Sequence, residues 1–144
     1  MKYFFDTSAL VKIYHNEVGS DIVLPIYNSE NVIFVSELSK IEFISTIYRK
    51  FRNAEISEEA LEILKNKFLW DFNNRFQVIL LGSAIIDLAF DSILQYGNIK
   101  HIISLDSIHL ATFLLIADNN ISFACADKRL TTLVKELLFN VLEV

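Results

Sequence analysis

This sequence predicts an α/β fold built on a mainly parallel, five-stranded sheet, and three observations predict it. Short apolar runs alternate with longer stretches of helical periodicity along the chain. The short runs are apolar at successive positions instead of every second one, the pattern of parallel strands covered by helices on both faces. Three glycines and one proline in 144 residues are too few for the many tight turns of an all-β fold. The expected architecture is a three-layer α/β/α sandwich with right-handed crossovers, in a single domain spanning residues 1–144.

The elements follow in order. Tyr3-Phe4-Phe5 reads as the first strand, with two short helices after it, Ser8 to His15 and Ser20 to Tyr27. Val32 to Val35 is the second strand. It leads into a longer helix from Glu37 to Arg52, for which Ser36 is a suitable N-cap. Ser57 to Asn73 opens with Ser57-Glu58-Glu59-Ala60, which places acids in the first turn, where the helix dipole favours them. Val78 to Leu81 is the third strand. The helix from Ser83 to Tyr96 is expected to stop at Gly97, a usual C-cap residue. Asp106 to Ala117 is the next helix, Ser122 to Cys125 the fourth strand, Lys128 to Leu138 the last helix and Val141-Leu142 the fifth strand.

Composition narrows the function classes. A single cysteine, Cys125, excludes an internal disulfide and a cysteine-built zinc site, and suits a reducing cytoplasm. No secretory leader is expected, because Tyr3-Phe4-Phe5 meets Asp6 at once. The longest uncharged apolar stretches, Phe76 to Ile86 and Ser107 to Ala117, fall well short of the ~20 residues that span a membrane. A net charge of −5 argues against a protein that coats nucleic acid. It leaves room for a nuclease: setting aside four carboxylates as metal ligands leaves 14 of the 18 acids against 13 bases.

Four acids stand out by position. Asp6 directly follows the first strand and Asp127 lies just past the fourth, at the edge where open parallel sheets bind ligands. Glu42 lies within the helix after the second strand, roughly 40° around from Leu38 and so on the border of the apolar face. Glu37, five residues earlier, falls on a different face and suits the helix N-terminus. Asp106 opens a helix, with His109 one turn on and sharing its face. Taken singly, an acid at a strand end reads as a helix cap, Glu42 as a solvated helix residue and His109 as a partly buried core histidine. Thr7 and Ser8 read as caps, and Lys128 and Arg129 as surface cations that could also reach a phosphate beside Asp127. Taken together, four clustered carboxylates repel one another and call for a cation. Hard divalent ions such as Mg²⁺ or Mn²⁺ prefer oxygen ligands, and phosphodiester cleavage is the chemistry they support.

The same residues carry a family resemblance. Tyr3-Phe4-Phe5-Asp6-Thr7-Ser8 resembles the apolar strand and Asp-x-Ser opening of PIN domains, and among them the VapC-type toxins of toxin–antitoxin pairs. Ser39-Lys40-Ile41-Glu42-Phe43 resembles their helix-borne glutamate segment, and Asp106-Ser107-Ile108-His109-Leu110-Ala111 their Asp-x-x-His-x-Ala segment. Phe123-Ala124-Cys125-Ala126-Asp127-Lys128-Arg129-Leu130 resembles their late strand, acid and basic helix start. The resemblance implies a PIN-like α/β/α sandwich and a metal-dependent endoribonuclease using Mg²⁺ or Mn²⁺. It implies Asp6, Glu42, Asp106 and Asp127 as catalytic metal ligands, with Ser8 and His109 as their supports. It also implies an RNA substrate, a protein antitoxin and a homodimer. Two alternatives stand beside it. One is a catalytically silent PIN-like binding module, against which the presence of all four acids weighs. The other is a haloacid-dehalogenase-like phosphatase, which would want a second Asp two residues after Asp6, where Ser8 stands.

Overall fold

The computed structural model describes residues 1–144. Its five strands are β1 (Lys2–Phe5), β2 (Val32–Ser36), β3 (Gln77–Ile79), β4 (Ile121–Cys125) and β5 (Asn140–Glu143). They form one sheet in the order β3-β2-β1-β4-β5, and every pairing is parallel. Seven helices connect them: α1 (Thr7–Tyr14), α2 (Ser20–Tyr27), α3 (Leu38–Arg52), α4 (Glu58–Asn74), α5 (Ser83–Lys100), α6 (Ser104–Ile116) and α7 (Lys128–Glu136).

Both faces of the central strands are buried, which is why their runs are continuously apolar. Tyr3, Phe5, Ile33, Val35 and Ala124 point to one face, where helices from the first half of the chain supply Phe43, Ile47, Phe68 and Phe72. Phe4, Phe123 and Cys125 point to the other, against Leu110, Phe113, Leu130 and Leu133 of α6 and α7. Aromatic stacking locks both layers: Phe43 on Phe68 at 3.9 Å between centroids, and Phe4 on Phe123 at 5.6 Å. Helix α5 packs on α6 through Ile85, Ala89 and Ala111.

Several boundaries differ from the sequence expectation by one to four residues, and three of the shifts have a clear local reason. The third strand runs Gln77–Ile79 instead of reaching Leu81. The Leu81 amide donates instead to the Glu37 carboxylate, at 2.9 Å, while the Glu37 amide takes the Ile79 carbonyl. Glu37 therefore ends that strand, and its carboxylate makes no cap bond at the start of α3. Helix α5 runs through Gly97 to Lys100 and is stopped by His101, in the left-handed region at φ 55. Gly97 serves as a close-packed helix interior, with Ile93 Cγ2 3.4 Å from where a β-carbon would sit. Helix α6 starts at Ser104, so Asp106 lies within its first turn instead of opening it.

A candidate active site at the carboxyl edge of the sheet

The chain moves outward from β1 through β2 to β3, then returns to the other side of β1 to lay down β4 and β5. Such a reversal opens a crevice at the carboxyl ends of the two strands that flank it, here β1 and β4. Asp6 follows β1 immediately, and Asp127 lies two residues past β4. The remaining acids reach this edge from helices on opposite faces of the sheet.

Asp6 is buried and caps α1. Its Oδ1 accepts from the Ala9 amide at 2.9 Å and from the Ser8 hydroxyl at 2.7 Å. Its Oδ2 accepts from the Cys125 thiol at 2.9 Å. Burial, and then the charge and hydrogen bonding of Asp6, push that thiol far above the usual range, so it stays protonated and donates. The Ser8 hydroxyl also accepts from the Ala126 amide at 2.9 Å, which stitches the turn after β4 to the turn after β1.

Glu42 projects from α3 with its Oε2 held by two donors. Thr7 Oγ1 and His109 Nε2 each stand 2.5 Å away. Burial alone would push this carboxyl up, but the bonds from His109 and Thr7 outweigh it and hold the group below the ordinary glutamate range. The imidazole sits edge-on to Phe4, and its Nδ1 is buried without a partner, so Nε2 is the nitrogen that serves the carboxylate.

Asp106 and Asp127 share a cation. Asp127 caps α7 through the Arg129 amide at 2.8 Å, and the Arg129 guanidinium curls back to its Oδ2 at 2.7 Å. The same guanidinium nitrogen lies 3.9 Å from Asp106 Oδ2. Arg129 holds the Asp127 carboxyl below its usual range. Asp106 is raised: half-burial disfavours its charge, Asp127 adds like-charge repulsion, and the Ile103 backbone and Arg129 offset only part of this.

The structure thus places each acid read from the sequence at one sheet edge, in two pairs of linked groups. Asp6 and Glu42 are joined through the adjacent Thr7, and Asp106 and Asp127 through Arg129. No three acidic, imidazole or thiol groups converge on a single point in this arrangement. The cause is visible: three of the carboxylates, Asp6, Glu42 and Asp127, are already taken up by hydrogen-bond donors of the protein, and the one ion pair of Asp106 is with the Arg129 guanidinium, at 3.9 Å. Three of those donors escape the sequence reading. Thr7 looks like a cap but donates to Glu42. Cys125 registers only as a lone thiol, although its position at the end of an apolar strand two residues before Asp127 was a usable signal. Arg129 passes as a surface cation, although it stands two residues past the acid that caps its helix and folds back onto it.

A PIN domain family profile matches residues 3–134. No curated protein matches the chain by sequence. Among solved structures, the chain is similar to VapBC2 from Rickettsia felis, crystallised with a DNA fragment of its promoter (TM-score 0.62, 16% identity, 100% of this chain and 99% of that one). It is similar also to VapC20 of Mycobacterium tuberculosis, described as a toxin cleaving the sarcin–ricin loop (TM-score 0.68, 10% identity, 91% and 94% covered). FitAcB from Neisseria gonorrhoeae is a third (TM-score 0.69, 12% identity, 98% and 96% covered). At these identities the likeness is one of fold, and it extends along nearly the whole chain. Two independent findings agree, the profile match across most of the sequence and the parallel sheet shared with these structures: the chain belongs to the PIN domain family.

Proposed function

We propose that the protein is a metal-dependent endoribonuclease that cleaves RNA phosphodiester bonds and acts as the toxin of a toxin–antitoxin pair. The observation that carries this reading is the placement of Asp6, Glu42, Asp106 and Asp127 at the reversal point of the sheet, on four separate elements. The donor set fits a hard divalent cation, being four carboxylates with no free thiolate. Asp106 supports the fit, since a carboxyl raised first by burial and further by the like charge of Asp127 is a group short of positive charge.

Asp6, Glu42, Asp106 and Asp127 would hold Mg²⁺ or Mn²⁺, which when bound supplies Lewis-acid stabilisation of phosphoryl oxygens and a more acidic water. The rest of the work falls to the chain itself. His109 and Thr7 fix the orientation of the Glu42 carboxylate, and Ser8 and Cys125 fix that of Asp6. Arg129 neutralises Asp106 and Asp127 until it is displaced toward the substrate phosphate. A protein antitoxin and a homodimer belong to the same reading. Their support is the solvent-facing stripe of Ile86, Phe90 and Leu94 on α5, spaced i, i+4, i+8, which leaves large apolar surface without cover.

A silent PIN-like binding module draws on one observation, the engagement of Asp6, Glu42 and Asp127 by protein donors. Incubation of the purified protein with total RNA, with and without Mn²⁺, followed by mapping of the cut ends, separates the two. Metal-dependent cuts that vanish in Asp6→Asn support the nuclease. Intact RNA, with a melting temperature indifferent to Mn²⁺, supports the silent module.

A further inference from the structure

A cavity of about 270 Å³ opens directly beside Glu42 and Ser8, between α1 and α3. Its wall along α3 is Glu42, Thr46, Arg49 and Lys50. These positions are spaced i, i+4, i+7 and i+8, so they lie on one face of the helix. The wall therefore changes character along its length, from an acid at one end to a hydroxyl and then two cations. Arg49 stands about 10 Å beyond Glu42 along the helix axis, at 1.5 Å per residue. Lys50 is already neutralised, by Glu17 at 3.4 Å and Glu55 at 3.2 Å. Arg49 is exposed and takes part in none of the ion pairs of the molecule.

The opposite flank repeats the arrangement. Ala126 lines the first cavity, while Lys128 and Arg129, two and three residues on, line a second one with His101. Asp127 stands between the two on the same turn. An acidic centre is thereby bordered on each side by a recess with an uncommitted cation, Arg49 on one and Lys128 on the other. Such a centre repels a polyanion by itself, so affinity for a nucleic acid has to come from its borders.

We propose that the cavity between α1 and α3 is a binding subsite for the phosphate backbone of single-stranded RNA, with Arg49 as its phosphate-contacting residue. The subsite rests on the ribonuclease reading and adds to it the path of the strand. The chain of the substrate lies along α3, crosses the carboxylates at the turn after β4 and leaves past Lys128. The distance of Arg49 from Glu42 assigns it to a phosphate neighbouring the one that is cut. Its planar fork suits two oxygens of that phosphate, with the Thr46 hydroxyl beside it. Contacts of this kind position the strand without reading bases.

The test is fluorescence anisotropy with a fluorescein-labelled, mixed-sequence single-stranded RNA. It is run in chelator so that nothing is cut, across a series of salt concentrations, on wild type, Arg49→Ala, Arg49→Lys and Arg52→Ala. Each phosphate contact on a single strand contributes about 0.7 to the slope of log affinity against log salt. Arg49→Ala is expected to bind several-fold more weakly, with a slope shallower by about 0.7. Arg49→Lys should keep the slope and lose part of the affinity. Arg52→Ala, on the same helix but outside the cavity, should match wild type. With Mn²⁺ present, the loss in Arg49→Ala should appear chiefly as a higher KM. An Arg49→Ala variant that melts as wild type and binds with the affinity and slope of Arg52→Ala overturns the subsite, even if the wild type cuts RNA. A wild type that binds the RNA with the expected Arg49 dependence but never cuts it upholds the subsite and sinks the nuclease reading. A wild type that does not bind the RNA in chelator overturns the subsite, and only intact RNA with Mn²⁺ present overturns the nuclease reading as well.

Discussion

Replacing Thr7 by valine removes a single hydroxyl while keeping the shape of the side chain. That hydroxyl donates to Glu42 Oε2 at 2.5 Å, and Thr7 is itself buried. A hydrogen bond to a charged group contributes about 1.5–3 kcal/mol. The Glu42 side chain is 20% exposed and retains His109, which places the cost toward the lower end, about 1.5–2 kcal/mol. At roughly 2–4 °C per kcal/mol for a chain of this size, Thr7→Val should melt roughly 3–8 °C lower at neutral pH. The pH dependence identifies the cause. Glu42 has a folded pKa depressed below its unfolded value. Its contribution is therefore complete above the ordinary glutamate range and is lost as pH falls through the folded value. The difference between wild type and Thr7→Val should be largest at neutral pH and shrink once Glu42 takes up a proton. Thermal melts in chelator across pH 3.5 to 8 measure this, with Thr7→Ser as the variant that keeps the hydroxyl. A melting difference that stays constant across the whole range would show that Thr7 acts by packing and not by holding the carboxylate.

Asp106→Asn should melt no lower than wild type in chelator at neutral pH, because an acid with a raised folded pKa destabilises the fold when ionised and relaxes as pH falls through that value. The same variant should show a smaller thermal shift on adding Mn²⁺, where wild type at about 100 times the dissociation constant gains roughly 2.7 kcal/mol. Arg129→Gln should bind Mn²⁺ more tightly by calorimetry, since the guanidinium competes for Asp106 and Asp127; weaker binding would mean that Arg129 organises the acids instead. Asp71→Ala should cost about 2–5 kcal/mol in denaturant melts, because the Tyr14 and Tyr27 hydroxyls, 2.6 Å and 2.9 Å from its Oδ2, lose their acceptor. Cys125 should resist thiol reagents in the native state and react on unfolding, as its burial and raised pKa require.

The sheet was legible because its central strands are buried on both faces and therefore announce themselves as unbroken apolar runs. The end of the third strand was not, because Leu80 and Leu81 continue the apolar run past the point where Glu37 captures the Leu81 amide. That bond joins residues 44 apart in sequence, and no local pattern encodes it. Gly97 misled for a related reason: its place beside Ile93 and Ile102 is a packing matter, and the actual stop at His101 depends on a left-handed residue that is not glycine. Asp6 and Asp127 could be placed because each follows a strand directly. Their double character, as caps and as edge carboxylates, also follows from that position. What the sequence hid is the wiring between them. Thr7 to Glu42 and His109 to Glu42 span 35 and 67 residues, and they meet only because α3 and α6 approach the same sheet edge from opposite faces.

The central position of β1 also sets an order in time. Its partner β4 is separated from it by more than a hundred residues, so the β1–β4 pairing must wait long after β1 and β2 have emerged. Asp6 and Glu42 emerge early, but Asp127 follows Asp6 by 121 residues, roughly 6–24 s at ordinary rates of synthesis. Until β4 inserts beside β1, the turn that carries Ala126 cannot reach the Ser8 hydroxyl, and the two pairs of acids remain apart. A nascent chain is therefore without the assembled edge until β4 has been synthesised and has paired with β1. The interval is written into the strand order itself: a circular permutant that begins at β4 would bring β4 and β1 out close together and shorten it.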